Sequence, residues 1–181
     1  MVLLDYVDTI KLEKGKVTMN GVPFTFTLTK SIYYQQKELE KVLGENWKKL
    51  AYKCGQDDSR DALQAYLTIF RNEPEMQKLM SSAPYEGLKF LVHQYNGVGK
   101  GRLELIVKDP SKPVYVVRLH FSPIALVYLE HEQANEPVCY HFAAFCSGAV
   151  GLFHPGIEAT ETKCLAKGDP YCEFICEIPK K

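Results

Sequence analysis

Glu161-Thr162-Lys163-Cys164-Leu165-Ala166-Lys167-Gly168-Asp169-Pro170-Tyr171-Cys172-Glu173-Phe174 is the stretch on which the reading of this chain turns. Gly168-Asp169-Pro170 is a turn signal, because glycine supplies positive φ and proline ends a ladder. The flanking segments are short and rich in strand-forming residues, so they predict two antiparallel strands folded back on each other. That hairpin brings Cys164 and Cys172 together across the turn. Glu161 lies three residues before Cys164, close enough to join them. Five of the six cysteines fall between Pro137 and Glu177. Cys139 opens an apolar segment that reads as a helix, and three thiolates with one carboxylate suit a tetrahedral zinc ion.

The pattern Pro137-Val138-Cys139-Tyr140, then Phe145-Cys146-Ser147-Gly148, then Glu161-x2-Cys164-x3-Gly168-x3-Cys172-x-Phe174 resembles the vinyl-4-reductase domain family. That family includes phenol- and toluene-sensing input domains of bacterial activators and is related in fold to TRAPP trafficking subunits. The resemblance implies an α+β fold, an antiparallel sheet packed against helices as in TRAPP-subunit-like and NO-signalling-type ligand-binding domains, with a C-terminal zinc hairpin. It implies metal ligands at Cys139, Glu161, Cys164 and Cys172, beside a pocket for an aromatic ligand. Cys146 is the alternative first ligand. A site with all four positions filled by protein leaves no place for substrate, so the zinc would be structural and its binding part of the folding free energy. Four anionic ligands leave a net charge that Lys163 and Lys167 can partly offset. The competing reading makes these cysteines buried small apolar residues.

Outward from this stretch, 181 residues suit one domain with a substantial core, residues 1–181, whose zinc-binding part is 137–177. With 22 basic and 22 acidic side chains the net charge is zero, which predicts no general affinity for nucleic acid or anionic membrane. Met1 to Asp8 lacks the basic and apolar regions of a signal peptide, and no segment is long enough to span a bilayer, so a cytoplasmic location is expected. Clustered cysteines in reducing cytosol favour metal over disulfides. The 11 tyrosines and 9 phenylalanines suit either an apolar pocket or a well-filled core.

Residues 10–28 read as strands, with Phe24-Thr25-Phe26-Thr27-Leu28 alternating at period two. Ser31 reads as the N-cap of a long helix carrying Leu39, Val42, Leu43, Trp47, Leu50 and Ala51 and ended by Gly55. Trp47 reads as a core anchor. Asp57, Asp58 and Ser59 start a second helix, and Pro74 a short third with Met76, Leu79 and Met80. Pro84 ends the helical half. Leu88–Val92 and Leu103–Val107 then suggest a hairpin around Gly97-x-Gly99-x-Gly101, a turn and not a phosphate loop, since no helix opens after it. Val114 to Phe121 is a strand. Ser122-Pro123 forms an N-cap and N1 pair that predicts a helix from Ile124 to about Glu132. Between Cys139 and Phe153, the small residues Ala143, Ala144, Ser147, Gly148, Ala149 and Gly151 allow close approach of either a neighbouring element or a ligand.

None of the five histidines forms a catalytic set. His120 and His141, with Phe145, are the expected ligand contacts. The first functional expectation is a sensor or carrier domain for an apolar, aromatic ligand, acting as a homodimer. A vinyl reductase needs an electron donor, and no nucleotide, flavin or iron–sulfur pattern is present to hold one. The third reading is an assembly subunit without ligand.

Overall fold

The computed structural model describes residues 10–19, 22–24, 27–70, 74, 77, 84–97, 101–107 and 112–179. It has the expected α+β architecture, antiparallel sheets packed with helices. Strands β1 (Ile10–Glu13), β2 (Lys16–Met19) and β3 (Val22–Phe24) form an antiparallel meander. Its first turn is Lys14–Gly15, with φ of 45° and 82° at the two positions, the backbone a tight hairpin needs.

Helix α1 (Thr29–Leu43) and helix α2 (Asn46–Phe70) divide the helical region differently from the sequence reading. The break falls at Gly44, which has positive φ and donates its N–H to the Glu40 carbonyl at 2.9 Å. Gly55 does not end a helix but lies inside α2, as do Asp57, Asp58 and Ser59. Its role is spatial, because a Cβ there would stand 2.2 Å from the His141 carbonyl oxygen. Ser31 is likewise inside α1, whose N-cap is Leu28. Trp47 is 3% exposed and meets the Tyr140 ring edge-on, as a core anchor should.

Pro84 begins helix α3 (Pro84–Gly97) and does not end the helical half. Proline suits the first helical turn, where its missing N–H has no partner to lose. The segment Leu88–Val92, expected as a strand, belongs to this helix. Leu88, Leu91, Val92 and Tyr95 follow helical spacing and face one cavity, and that period outweighs the β propensity of the individual residues. Met76, Leu79 and Met80, the centre of the expected Gly-rich turn, and Met1 to Asp8 lie outside the described residues.

The second sheet has the order β4-β5-β7-β6, antiparallel throughout, from β4 (Arg102–Val107), β5 (Tyr115–Phe121), β6 (Glu158–Lys163) and β7 (Cys172–Glu177). Helix α4 (Pro123–His131) follows β5 directly. Its Ser122 N-cap accepts from the Ala125 N–H, with proline next, as the sequence pair predicts. Helix α5 (Tyr140–Gly151) lies between α2 and the inner sheet face. Leu119 and Phe174 on that face are fully buried, each contributing about 1.5–3 kcal/mol of apolar burial. The small residues of α5 serve this packing: a Cβ on Gly148 would stand 2.3 Å from Ser59 Oγ, which itself donates to the Phe145 carbonyl. Gly151 faces open space. No helix among the described residues is long and apolar enough to cross a membrane.

Candidate functional site

Alternation along β6 turns Ala159 and Glu161 inward, and a register shift between Glu161 and Lys163 marks the end of regular pairing. The chain then turns through Cys164 and a 3-10 segment, Leu165–Lys167, to Gly168 at φ 97°. Asp169 fastens this turn by accepting from the Cys164 N–H at 2.8 Å. Cys172 opens β7 opposite. The N-cap position of α5 delivers Cys139 from a third direction.

The donor atoms of Cys139, Glu161, Cys164 and Cys172 lie within 4.8 Å of one another, a set that can hold a metal ion. Cys139 Sγ is 3.8 Å from Cys172 Sγ, and Cys172 Sγ is 4.0 Å from Cys164 Sγ. A tetrahedral ion bound to sulfur at about 2.3 Å has edges of about 3.8 Å between sulfurs. Cys164 and Cys172 are fully buried, Cys139 is 3% exposed and Glu161 9%. Glu161 Oε2 accepts from the Cys139 N–H at 2.8 Å, while its Oε1 is buried without a hydrogen-bond partner. A buried carboxylate oxygen left bare is costly, and a cation in the cluster would remove that cost.

The four acidic groups perturb one another strongly, with Cys139, Glu161 and Cys172 raised and Cys164 lowered. Hydrogen bonds from Cys139 and Cys172 hold the Cys164 thiol far below its ordinary pKa. Cys139 is raised, mainly by its hydrogen bond to Cys164. Burial, then the charge on Cys164, pushes Glu161 up to about 9. Lys163, expected to offset the site's charge, points its ammonium at Tyr171 and Glu173.

Cys146 stands apart from the cluster, in the wall of a cavity of about 40 Å³. The cavity lies between α3, α5 and the β4–β5 pair, lined by leucines, valines, Phe142, Phe145 and Tyr95. Tyr95 meets the Phe142 ring edge-on and tilts against Phe145. Burial holds its hydroxyl well above the ordinary tyrosine pKa, so it stays protonated. Phe145 is thus in the cavity wall. His120 lies outside it, 2.8 Å from Glu104 and edge-on to Tyr171. His141 is half exposed, its Nε2 3.8 Å from Asp58. The α3 side of the wall is missed by the sequence reading, which puts Leu88, Leu91 and Val92 in a strand and gives Tyr95 no place. Counting the four at 3.6-residue spacing is the signal that finds it.

Residues 126–178 match the family model of the vinyl-4-reductase domain, so the resemblance read from Cys139 to Phe174 holds for the C-terminal third. A 64-residue stretch is 35% identical to an uncharacterized protein of Methanocaldococcus jannaschii, covering 31% of this chain and 28% of that protein. The match therefore spans less than a third of that relative. The fold is similar to the phenol-responsive sensory domain of the transcription activator PoxR, solved with phenol. The TM-score is 0.74 at 16% identity, covering 96% of this chain and 87% of the other. It is also similar to a trafficking protein particle complex subunit 3 from Naegleria fowleri, covalently bound to palmitic acid. There the TM-score is 0.50 at 11% identity, over 86% and 84% of the two chains.

Proposed function

We propose that this chain is a small-molecule-binding domain, a sensor or carrier for an apolar aromatic ligand, with a structural zinc ion at Cys139, Glu161, Cys164 and Cys172. The observation that carries the reading is the placement of helix α5. Its N-cap residue is the donor Cys139, and three turns of the same helix supply Phe142, Phe145, Cys146, Ala149 and Val150 to the cavity wall. Zinc would fix the start of the helix that shapes the pocket. It would supply no open coordination position for chemistry.

A cavity that binds benzene measures about 150 Å³, so a ligand of one ring must move wall side chains to enter the 40 Å³ present. The rings of Tyr95, Phe142 and Phe145 are the ones whose rotation would enlarge it. The wall is almost wholly apolar, so cavity chemistry favours a ligand with one polar group at most. The phenol-bound neighbour of similar fold supports this class of ligand. His120 and His141 belong to the ligand site in this reading only if their segments rearrange.

The fold match over 96% of the chain supports treating residues 1–181 as one such domain. A cytoplasmic homodimer remains part of the reading, and exposed Ile32, Leu39 and Val42 on α1 offer an apolar surface for the second copy. The test is calorimetric titration of the protein with phenol, toluene and cyclohexanol. Saturable binding of one aromatic compound per chain, with a negative heat-capacity change, is expected. Absence of binding to every ring compound would overturn the ligand reading.

A further inference from the structure

Ser122 joins two parts of the molecule through one oxygen. It is 1% exposed and stands between β5 and α4. Its Oγ accepts from the Ala125 N–H at 3.3 Å, and its carbonyl accepts from the Leu126 N–H at 3.0 Å. The same Oγ lies 3.4 Å from Cys139 Sγ. A hydroxyl has a single proton. With a lone pair turned to Ala125, the acceptor left in range among the described residues is the Cys139 sulfur. A metal-bound thiolate carries no proton, so in the loaded site this bond can run in one direction only, from Ser122 to Cys139.

Two of the other donor atoms are served by main-chain amides. Glu161 Oε2 accepts from the Cys139 N–H and Cys172 Sγ from the Leu165 N–H, while Cys164 Sγ is met by the Cys172 thiol. Among the described residues, Ser122 is thus the side-chain hydroxyl that meets a donor sulfur from outside the cluster, and a side-chain change removes it while the backbone stays intact. Groups in this second layer orient metal ligands and tune how strongly they donate.

We propose that Ser122 is a positioning residue of the metal centre, whose hydroxyl donates to the Cys139 sulfur while it caps α4, so that metal loading and order at the start of α4 rise together. The proposal rests on the metal reading above. Because coupling is reciprocal, whatever holds the cap also strengthens the metal.

Cobalt(II) titrated into metal-stripped protein, against a competing chelator, tests this. Ser122→Ala should bind cobalt about 10- to 100-fold more weakly than wild type. Its thiolate-to-cobalt absorption should also move to lower energy, because a sulfur without its hydrogen bond releases an electron more easily. Val127→Ala removes buried methyls from α4 but keeps the Ser122 hydroxyl, and should weaken affinity less than Ser122→Ala and leave the absorption at its wild-type energy. Wild-type affinity and absorption in Ser122→Ala would overturn the proposal. Equal weakening in both variants without a shift would also overturn it, reducing Ser122 to a helix cap. Wild-type protein that takes up no cobalt would remove the metal reading itself, and the proposal with it. If Ser122→Ala does not fold, cadmium-113-loaded wild-type protein decides by nuclear magnetic resonance. A scalar coupling between the metal and the Ser122 hydroxyl proton is expected; its absence, with the Cys139 β-protons coupled, would contradict the proposal.

Discussion

Glu161 reaches across 22 residues of sequence to accept the Cys139 amide on Oε2, while its Oε1 is buried with no hydrogen-bond partner. One carboxylate therefore orients the residue that carries one sulfur of the cluster and has a second oxygen that could meet a metal ion. Glu161→Gln keeps an acceptor for the Cys139 amide but removes the negative charge. It should weaken metal binding by more than the roughly 10- to 100-fold that loss of an outer partner costs. Chelator competition measures the difference, and an unchanged affinity would exclude Glu161 as a ligand.

Ala149 borders the cavity, so Ala149→Val places two extra carbons in its free space. Filling free space offsets part of the overpacking cost, so any loss of stability should stay below about 3 kcal/mol. Binding of any ring compound that fits the wild-type protein should disappear. Urea unfolding and calorimetric titration of the same sample separate the two effects. Retained binding would place the ligand elsewhere.

The α2–α5 contact is set by two glycines whose obstacles differ in kind. An added Cβ at Gly55 meets the backbone oxygen of His141 at 2.2 Å, whereas at Gly148 it meets Ser59 Oγ at 2.3 Å and Ser59 Cβ at 2.6 Å. Rotation can remove the Ser59 hydroxyl from the path but not its Cβ, so Gly148 is relieved in part and Gly55 not at all. Both alanine variants gain about 1 kcal/mol of helix propensity. Overpacking costs about 1–3 kcal/mol or more, so both should be destabilised, and Gly55→Ala the more strongly. Urea unfolding midpoints test that order, and a stabilised Gly55→Ala would refute it.

On the outer sheet face, Glu173 takes Arg118 Nε at 2.9 Å and Lys163 Nζ at 3.4 Å. Burial opposes its ionisation, but these two cations outweigh it and hold the carboxyl below the usual glutamate value. A depressed carboxylate stabilises the fold above its unfolded pKa and loses that contribution as pH falls through its folded pKa. Glu173→Gln should therefore be less stable than wild type at pH 7, by roughly 1 kcal/mol for a partly exposed pair. The gap should close below about pH 4, where the wild-type carboxyl also becomes neutral. A gap that persists at about pH 3, well below the ordinary glutamate value, would assign it to packing.

The sequence was most readable where chemistry and local geometry coincide. Gly168 and Pro170 mark the turn between Cys164 and Cys172, and Ser122-Pro123 marks the start of α4. Each is a short-range rule that needs no knowledge of the rest of the chain. Legibility failed where a residue answers to a distant neighbour. Gly55 reads as a helix stop, yet it is glycine because His141 passes above it. Leu88–Val92 has the composition of a strand, but Tyr95 and the cavity side of α3 make it a helix. The grouping of Cys139, and not Cys146, with the hairpin depends on how α5 is oriented, and spacing alone does not encode that.

Native mass spectrometry of protein purified without chelator, with elemental analysis of the same sample, tests the central claim most directly. One zinc ion per chain is expected. It should be lost in Cys164→Ser and Cys172→Ser and kept in Cys176→Ser, whose sulfur is buried outside the cluster. Protein without metal, or metal that survives loss of both Cys164 and Cys172, would contradict the account.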